Sequence, residues 1–198
     1  MNGSLCQNRS HIGSSGAGNL VAMAFHASQT HVDAEGRRWR KCAAACIVNA
    51  RGEMLLGERV DKPGSWNAPQ GGMDDNGESV ADAAAREAYE ECGLRVGEHL
   101  ELVAAMEDAD AHRYEAGGWL TEAGFAGQQL HWALFRVVDS AGNDDPARIC
   151  KLTGLNGEAQ EFTAVRYMAI DEAVKQVWPA KRRAYEALQE WLSRHNLS

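Results

Sequence analysis

One segment, from Gly71 to Leu94, constrains the fold most strongly, because its second half predicts an amphipathic helix with acids on the apolar side. At about 100° per residue, Val80 marks the direction of that apolar side. Glu87 and Glu91 fall within about 20° of this direction, so they lie among residues that should face the core. Gly93 stands at the usual helix-ending position. The fold must therefore accommodate carboxylates on the buried side of a helix.

Three of these acids form a cluster that calls for a cation. Glu87, Glu90 and Glu91 have the i, i+3, i+4 spacing that brings three carboxylates together. Like charges repel there and burial removes their hydration, so a positive group has to offset both effects. A bare E-x-x-E-E pattern is typical of a solvated acidic face, but here Arg86 can pair with Glu90, and a preceding glycine pair lets backbone carbonyls come close. The combination favours a site for Mg²⁺ or Mn²⁺, which prefer carboxylate and carbonyl oxygens.

The spacing of these residues resembles the signature of the Nudix hydrolases. That signature reads G, five residues, E, seven residues, R-E, an aliphatic residue, any residue, E-E, any residue, G and an aliphatic residue. The matching positions are Gly72, Glu78, Arg86, Glu87, Ala88, Glu90, Glu91, Gly93 and Leu94. Ala88 is a small choice for its aliphatic position, and every other defined position matches.

The resemblance implies a fold, a chemistry and roles for individual residues. The expected fold class is α+β, a Nudix-type α/β/α sandwich around a mixed β-sheet. The expected chemistry is water attack on a phosphorus of a substituted nucleoside diphosphate, helped by Mg²⁺ or Mn²⁺. The implied metal ligands are Glu87, Glu90, Glu91 and the carbonyl of Gly71. Either Glu90 or Glu161 would take the proton from water. The implied structural residues of the signature are Gly72, Glu78, Arg86 and Gly93.

Sequence outside the signature resembles one branch of that family. Trp66 to Gly72 is similar to the W-x-x-P-Q-G-G lead-in of diadenosine polyphosphate hydrolases from plants and bacteria and of bacterial RNA 5′-pyrophosphohydrolases. Further matching pieces extend the likeness over about residues 39–188. By this resemblance, Arg40 and Lys181 would contact phosphates and Tyr114 would stack on a base.

Two places depart from the branch or vary within it. His131 stands near a position where the branch usually has a basic residue, so it is a candidate replacement for that contact. The glycine-rich tract from Glu115 to Ala126 is long enough to act as a substrate lid. Trp66 and Trp132 are predicted to belong to the core rather than to contact ligand, because tryptophan buries much apolar area.

The remaining periodicity predicts a mixture of strands and helices. Strands are predicted over 41–49, 54–59, 100–106, 130–138 and 161–170, and helices over 78–92, 171–177 and 180–194. The two last helices are separated by Trp178-Pro179, because proline cannot continue a helix interior. The order lacks a regular strand-helix alternation, which favours an α+β sandwich over a doubly wound sheet.

Composition bounds the domain organisation and the compartment. The chain of 198 residues predicts a flexible extension over 1–37 and one catalytic domain over 38–198. Five cysteines without a C-x-x-C pair indicate a reducing compartment, and we expect a cytoplasmic protein. The alternative is a mitochondrial or plastid protein, because the extension lacks acids before residue 33, as a transit peptide does. No apolar run approaches the roughly 20 residues that span a membrane.

These observations rank three functions. The first is Mg²⁺-dependent cleavage of dinucleoside polyphosphates, such as diadenosine tetraphosphate to ATP and AMP. The second is removal of pyrophosphate from 5′-triphosphate RNA, ranked lower because a net charge of −8 disfavours a broad nucleic-acid surface. The third is a non-catalytic nucleotide-binding module, although catalytic loss usually breaks the signature. The expected partner is a small nucleotide or an RNA 5′ end, with no membrane.

Overall fold

The computed structural model describes residues 28–197. The centre of the fold is an eleven-residue strand, β2 (Arg38–Val48). Its apolar run from Cys42 to Ile47 is fully buried, as expected of a strand covered on both faces. β2 pairs in parallel with β8 (Gly127–Val137) along nearly its whole length. These two long strands fix the middle of the sheet.

Among the described residues, shorter strands complete a nine-stranded mixed sheet, and they join it by antiparallel pairing. They are β1 (Thr30–Val32), β3 (Met54–Arg59), β4 (Trp66–Asn67), β5 (Gln70–Gly72), β6 (Leu100–Ala105), β7 (His112–Glu115) and β9 (Phe162–Met168). The main path through the sheet runs β4-β3-β2-β8-β6. β1 and β5 pair with β2, β7 pairs with β8, and β9 pairs with β3.

Helices cover both faces of this sheet. They are α1 (Val80–Cys92), α2 (Trp119–Glu122), α3 (Ser140–Asp144), α4 (Ile170–Gln176) and α5 (Arg182–Arg194), with 3₁₀ turns at Pro146–Arg148 and Pro179–Lys181. Alternate residues of β2 enter two separate apolar clusters: Ala43 packs in the cluster that includes α1, and Ala44 packs in the one that includes α5. This layering confirms the α+β class and the sandwich around a mixed sheet.

Helix α1 begins and ends through local capping. The Ser79 hydroxyl accepts a hydrogen bond from the backbone N–H of Asp82 at 3.1 Å. At the other end Gly93 adopts the left-handed conformation, with φ of 72°, and its N–H donates to the Tyr89 carbonyl at 2.7 Å. The predicted helix is confirmed, two residues shorter at its start.

Helix α5 and the tryptophan beneath it form the other layer. Ala184, Leu188 and Leu192 are buried, as their spacing predicts. Trp132 is fully buried, contacts the Tyr185 ring edge-on at a centroid distance of 4.9 Å and donates its indole N–H to the Ala184 carbonyl at 3.2 Å. Trp132 is therefore a core residue, as predicted. Trp66 is half-buried and packs against the same cluster.

The structure differs from the sequence predictions at short, non-local pairings. Gln70–Gly72 lies outside every predicted strand, but it forms β5 because it pairs with Cys42–Ala44 of β2. β1 lies inside the predicted N-terminal extension, and its pairing with β2 starts the folded part before residue 38. The prediction of a flexible segment or transit peptide over residues 1–27 falls outside the described residues.

Two further findings concern membranes and thiols. Within residues 28–197, no helix has the length and apolar character needed to cross a bilayer. Cys42 and Cys46 lie in one apolar cluster, and burial raises the pKa of the Cys46 thiol to about 12. Both cysteines therefore pack as small hydrophobic residues.

Candidate active site

The acids of α1 line a cavity of about 470 Å³, which we call the glutamate cavity. Helix α1 supplies Glu87, Glu90 and Glu91 to its lining. The segment before β9 supplies Glu158 and Glu161 from the opposite side. The sheet side of the lining consists of Ser28, Arg40, Gln70, Gly71, Gly72 and Asp74. Six carboxylates, those of the five glutamates and of Asp74, therefore line one cavity together with the backbone of two glycines.

Two of these carboxylates are strongly desolvated. Glu87 and Glu91 are each only 8% exposed. Burial raises the pKa of Glu87 to about 7, although the Arg86 guanidinium acts in the opposite direction. Burial raises the pKa of Glu91 well above its usual value, and the charges of Glu87 and Glu161 add to this effect. Burial thus makes it costly to ionise these two acids, and a bound cation would favour their charged forms.

Arg86 organises the loop and the helix around this charge. Its Nε and Nη2 bind the two carboxylate oxygens of Glu78 at 2.9 and 3.1 Å, and Nη2 also donates to the Gly72 carbonyl at 2.7 Å. Its Nη1 lies 2.7 Å from Glu87 Oε1 and 3.0 Å from Glu90 Oε2. The predicted pairing of Arg86 with Glu90 is confirmed. Because Arg86 ties β5 to α1, it positions two acids at once.

The two glycines of β5 let charged groups approach the backbone. A Cβ at Gly71 would overlap the carboxylate of Glu87, and one at Gly72 would overlap the guanidinium of Arg40. Arg40 also donates from Nε to the Ser28 hydroxyl at 3.1 Å. The glycine pair therefore makes room for one acid and one base on neighbouring residues.

Glu90 is held from a second direction by the segment that precedes β9. Asn156 Nδ2 donates to Glu90 Oε1 at 3.3 Å, and the Leu155 N–H donates to the Glu90 carbonyl at 3.1 Å. Asn156 has a φ of 57°, a left-handed conformation that asparagine tolerates better than most residues. Both oxygens of the Glu90 carboxylate thus have a donor, Asn156 on one and Arg86 on the other.

A second cavity, of about 490 Å³, adjoins this site, and we call it the aromatic cavity. Its lining includes Arg59, Asn67, Tyr114, Trp119, Gln128, Trp178 and Lys181. Lys181 Nζ donates to Gln70 Oε1 at 2.9 Å, and Gln70 lines the glutamate cavity. Burial lowers the pKa of Lys181 to about 8, and the nearby Arg59 charge lowers it further, whereas Glu91 opposes the shift. Lys181 therefore stands between the two cavities.

The structure divides the predicted site residues between these two cavities. The glutamate cavity contains Gly71, Glu87, Glu90, Glu91, Glu161 and Arg40, whereas the aromatic cavity contains Lys181 and Tyr114. Tyr114 is only 7% exposed and donates its hydroxyl to Gln128 Oε1. His131 lines neither cavity: it is fully buried, with Nδ1 3.1 Å from the Cys42 carbonyl and Nε2 2.7 Å from Asp108 Oδ1.

Sequence reasoning missed several residues at or beside the cavities. Among them are Arg59, Trp119, Trp178, Asn156 and Glu158. Arg59 and Glu158 carry no local pattern that distinguishes them from surface charges. Trp119 had a usable signal, because a tryptophan within a glycine-rich tract is unlikely to be buried by that tract alone. The tract begins at the last residue of β7 and contains the short helix α2, and it forms one wall of the aromatic cavity.

The donor set of the glutamate cavity fits a hard divalent cation. Carboxylate oxygens from α1 and the Gly71 carbonyl are the ligand types that Mg²⁺ prefers. In the part of the chain that the structure describes, no three His, Cys, Asp or Glu side chains stand in an assembled metal-binding arrangement. Arg86 instead contacts oxygens of Glu87 and Glu90. Metal binding would therefore require these side chains to turn toward the cation.

Known proteins share both the sequence and the fold. The family description "NUDIX domain" matches residues 38–188. The chain is 32% identical over 151 residues to an RNA pyrophosphohydrolase of Cereibacter sphaeroides, covering 75% of this chain and 86% of that protein. It is 33% identical over 158 residues to an RNA pyrophosphohydrolase of Rhodospirillum rubrum, covering 80% and 89% respectively.

Solved structures support the fold alone, since their sequences are distant. A binary complex of an Ap4A hydrolase from C. elegans superposes with a TM-score of 0.52 at 20% identity, covering 78% of this chain and 98% of that one. A Nudix hydrolase from M. smegmatis, RenU, gives 0.52 at 16% identity, covering 84% and 95%. The signature helix, the sandwich and these relatives agree: the chain belongs to the NUDIX family and is a Nudix hydrolase.

Proposed function

We propose that this Nudix hydrolase removes pyrophosphate from the 5′-triphosphate end of RNA. The observation that carries the proposal is the match to proteins named RNA pyrophosphohydrolase at 32–33% identity over most of their length. The sequence alone ranked dinucleoside polyphosphates first, and these relatives reverse that order. The match to an Ap4A hydrolase is a likeness of fold at 20% identity, so it supports the substrate less.

The residues of the glutamate cavity supply the proposed chemistry. Glu87, Glu90, Glu91 and the Gly71 carbonyl would hold Mg²⁺ or Mn²⁺. The bound cation would neutralise charge on the phosphate oxygens and lower the barrier to water attack on phosphorus. Glu90 or Glu161 would take the proton from the attacking water, because both carboxylates line this cavity.

Cationic side chains at the edge of the cavity complete the proposed site. Arg40 lines the glutamate cavity, and Lys181 and Arg59 line the aromatic cavity beside it. A triphosphate placed between the cavities would therefore contact positive charge along its length. This local arrangement lets a chain with a net charge of −8 bind an anionic end without a broad basic surface.

Cleavage of diadenosine tetraphosphate to ATP and AMP remains the second candidate. The observation that favours it is the neighbouring aromatic cavity, whose volume of about 490 Å³ suits a small-molecule group. The acidic net charge also favours a small ligand over a long polyanion.

A comparison of the two substrates, each measured separately, distinguishes the two candidate functions. Purified protein with Mg²⁺ is given blunt 5′-triphosphate RNA and diadenosine tetraphosphate, each alone, and kcat/KM is measured from the release of pyrophosphate or of ATP and AMP. The proposal predicts at least about tenfold higher kcat/KM for RNA, a difference of about 1.4 kcal/mol in transition-state binding. A higher value for the dinucleotide would make the second candidate the function. Turnover of neither would contradict both.

A further inference from the structure

Two residues that precede the matched family range contact the loop between β5 and α1. The match to the family begins at residue 38, whereas Ser28 and Gln29 lie before β1. Ser28 lines the glutamate cavity and forms an antiparallel bridge with Asp74, which lines the same cavity. We call residues 73–79, which join β5 to α1, the signature loop. Residues outside the matched range therefore contribute directly to the site.

The backbone of Gln29 joins β2 to the signature loop at the point where the pairing of β2 with β5 ends. The Met73 N–H donates to the Lys41 carbonyl at 3.0 Å, which continues that pairing by one bond. The Lys41 N–H donates to the Gln29 carbonyl, and the Gln29 N–H donates to the Met73 carbonyl, each at 2.8 Å. Gln29 therefore bridges two segments that separate beyond this point.

The side chain of Gln29 closes the signature loop. Its Nε2 donates to the Asp74 carbonyl and to the Glu78 carbonyl, each at 2.8 Å. An amide nitrogen carries two hydrogens, so both donors of this side chain are used. Within the loop, the Asp74 N–H donates to Glu78 Oε2 at 2.9 Å, and Gly77 has a φ of 89°. One amide therefore holds the two ends of the turn together.

The closed loop is connected to the acids of the site. Both carboxylate oxygens of Glu78 bind Arg86, and Arg86 in turn contacts Glu87 and Glu90. Glu78 also directly precedes Ser79, whose hydroxyl caps the start of α1. A shift of the Glu78 backbone would therefore move the guanidinium that positions two acids, together with the first turn of their helix.

Ser28 acts on the cationic part of the cavity. Its hydroxyl accepts a hydrogen bond from Arg40 Nε at 3.1 Å, and the neighbouring pair Thr30 and Arg40 is in register between β1 and β2. The guanidinium is a rigid planar fork, so a bond at Nε fixes the direction of its other nitrogens. Ser28 therefore orients the arginine that lines the glutamate cavity.

We propose that Gln29 is a positioning residue for the metal-binding acids and that Ser28 is a positioning residue for Arg40. Gln29 acts through the signature loop, and Ser28 acts through the guanidinium, so neither touches the reacting atoms. The role of Gln29 rests on Nudix hydrolase chemistry, and the role of Ser28 rests on the proposed function for the phosphate contact of Arg40. The two residues should therefore affect different quantities, metal affinity for Gln29 and phosphate affinity for Ser28.

Gln29→Met tests the first role, because methionine has nearly the same shape and carries no amide donor. Amide hydrogen exchange of the full chain without metal should be about tenfold faster over residues 73–79 and unchanged over β8, as expected for two lost hydrogen bonds. Mn²⁺ affinity, measured by calorimetry, should fall about threefold to tenfold. Gln189→Met is the matched control, since it loses a donor to Asp171 outside both cavities, and it should behave as wild type.

Gln29→Glu is a second variant of the same shape. At neutral pH its carboxylate would face two carbonyl oxygens, so it should loosen the signature loop at least as much as Gln29→Met. Wild-type exchange over residues 73–79 together with wild-type Mn²⁺ affinity in both variants would overturn the role of Gln29. Equal acceleration over β8, or loss of the fold, would also overturn it, because Gln29 would then support the whole domain.

Ser28→Ala tests the second role through binding of inorganic triphosphate with Mg²⁺. The affinity should fall about threefold with Mn²⁺ affinity unchanged, as loss of one outer contact to a ligand-binding group predicts. Ser28→Thr keeps the hydroxyl and should restore the affinity. Wild-type triphosphate affinity in Ser28→Ala would overturn the role of Ser28.

These readouts distinguish failure of the inference from failure of the proposed function, because none of them needs turnover. If the wild-type chain hydrolysed neither candidate substrate while Gln29→Met still loosened the loop and weakened Mn²⁺ binding, the proposed function would fail and the role of Gln29 would stand. If the wild-type chain hydrolysed 5′-triphosphate RNA and both Gln29 variants matched it in exchange and Mn²⁺ affinity, the role of Gln29 would fail and the function would stand.

Discussion

Arg59 Nη1 lies 2.8 Å from Glu161 Oε2, and this ion pair joins the two cavities. Arg59 lines the aromatic cavity and Glu161 lines the glutamate cavity. The backbone reinforces the link, because the Val60 N–H donates to the Glu161 carbonyl at 3.0 Å. Glu161 is therefore held to the end of β3 by both its side chain and its main chain, opposite the acids of α1.

Removal of the Arg59 side chain should disturb the position of the Glu161 carboxylate more than that of any other acid in the glutamate cavity. Arg59→Ala is expected to lower kcat about tenfold, and Arg59→Lys less, because lysine keeps the charge without the planar donor geometry. The double variant Arg59→Ala with Glu161→Gln should be little worse than Glu161→Gln alone, as expected for two residues acting through one interaction. Steady-state kinetics of wild type, the two single variants Arg59→Ala and Glu161→Gln, and the double variant measures the coupling. If the losses of the two single variants multiplied in the double variant, the two residues would act independently and the prediction would be contradicted.

The second donor to Glu90 gives a separate prediction. Asn156→Gly keeps the left-handed backbone accessible and removes only the amide that contacts Glu90 Oε1. We expect a roughly threefold to tenfold loss of Mn²⁺ affinity and of kcat, consistent with loss of an outer contact to a ligand. Asn156→Asp should lose more, because it faces Glu90 with a like charge.

Calorimetric titration of Mn²⁺ and steady-state kinetics provide the two readouts for Asn156. Glu101→Gln, an exposed acid on β6 outside both cavities, is the matched control and should behave as wild type. Wild-type metal affinity in Asn156→Gly would mean that the residue serves the backbone turn alone.

Deprotonation of Lys181 should lower kcat/KM in alkaline solution. Its pKa is lowered to about 8 by burial and by Arg59, so the free enzyme loses this positive charge as pH rises through about 8. kcat/KM reports groups of the free enzyme, and it should therefore decline above pH 8. Lys181→Arg stays charged over that range, so its profile should extend to higher pH. Profiles measured from pH 6.5 to 9.5 that coincide for the two proteins would show that Lys181 does not contact phosphate.

The Glu87 carboxylate lies close to Gly71, so a side chain at position 71 should destabilise the fold through its contact with Glu87. Gly71→Ala places a Cβ on the Glu87 carboxylate, which is the end of a flexible side chain and must turn aside, so it should lower the free energy of unfolding by about 1 kcal/mol, the low end of the range for overpacking. The double variant Gly71→Ala with Glu87→Ala should recover most of that loss, since the colliding side chain is gone, but should remain inactive. Urea unfolding of both variants beside Glu87→Ala measures this, and additive effects would contradict a clash between the two residues.

Sequence predicted the parts of this molecule that depend on local pattern. Helix α1, its cap at Gly93 and the inward acids follow from 3.6-residue periodicity, and Trp132 follows from its apolar bulk. Strand β5 was not predicted, because two glycines carry no strand propensity and pair only when β2 is beside them.

The lining of the aromatic cavity likewise depends on non-local contacts that the sequence pattern does not predict. Tyr114 and Trp119 lie only a few residues apart in sequence and both line the aromatic cavity, yet Tyr114 is buried, at 7% exposed, whereas Trp119 is 38% exposed. That difference arises from β7 pairing with β8 and from the anchoring of Leu120, neither of which has a local signal. The Arg59 to Glu161 pair likewise forms only because the chain before β9 returns to the end of β3.

The glutamate cavity is the proposed site at which a phosphoric anhydride bond is hydrolysed, and replacement of one of its acids tests this assignment. Release of pyrophosphate from 5′-triphosphate RNA is measured with Mg²⁺ for wild type, Glu91→Gln and the surface control Glu101→Gln. We predict Mg²⁺-dependent turnover in wild type and in the control, and a loss of at least about a hundredfold in Glu91→Gln, about 2.7 kcal/mol of transition-state stabilisation. Undiminished turnover in Glu91→Gln would contradict the claim, because the chemistry would then lie outside this cavity.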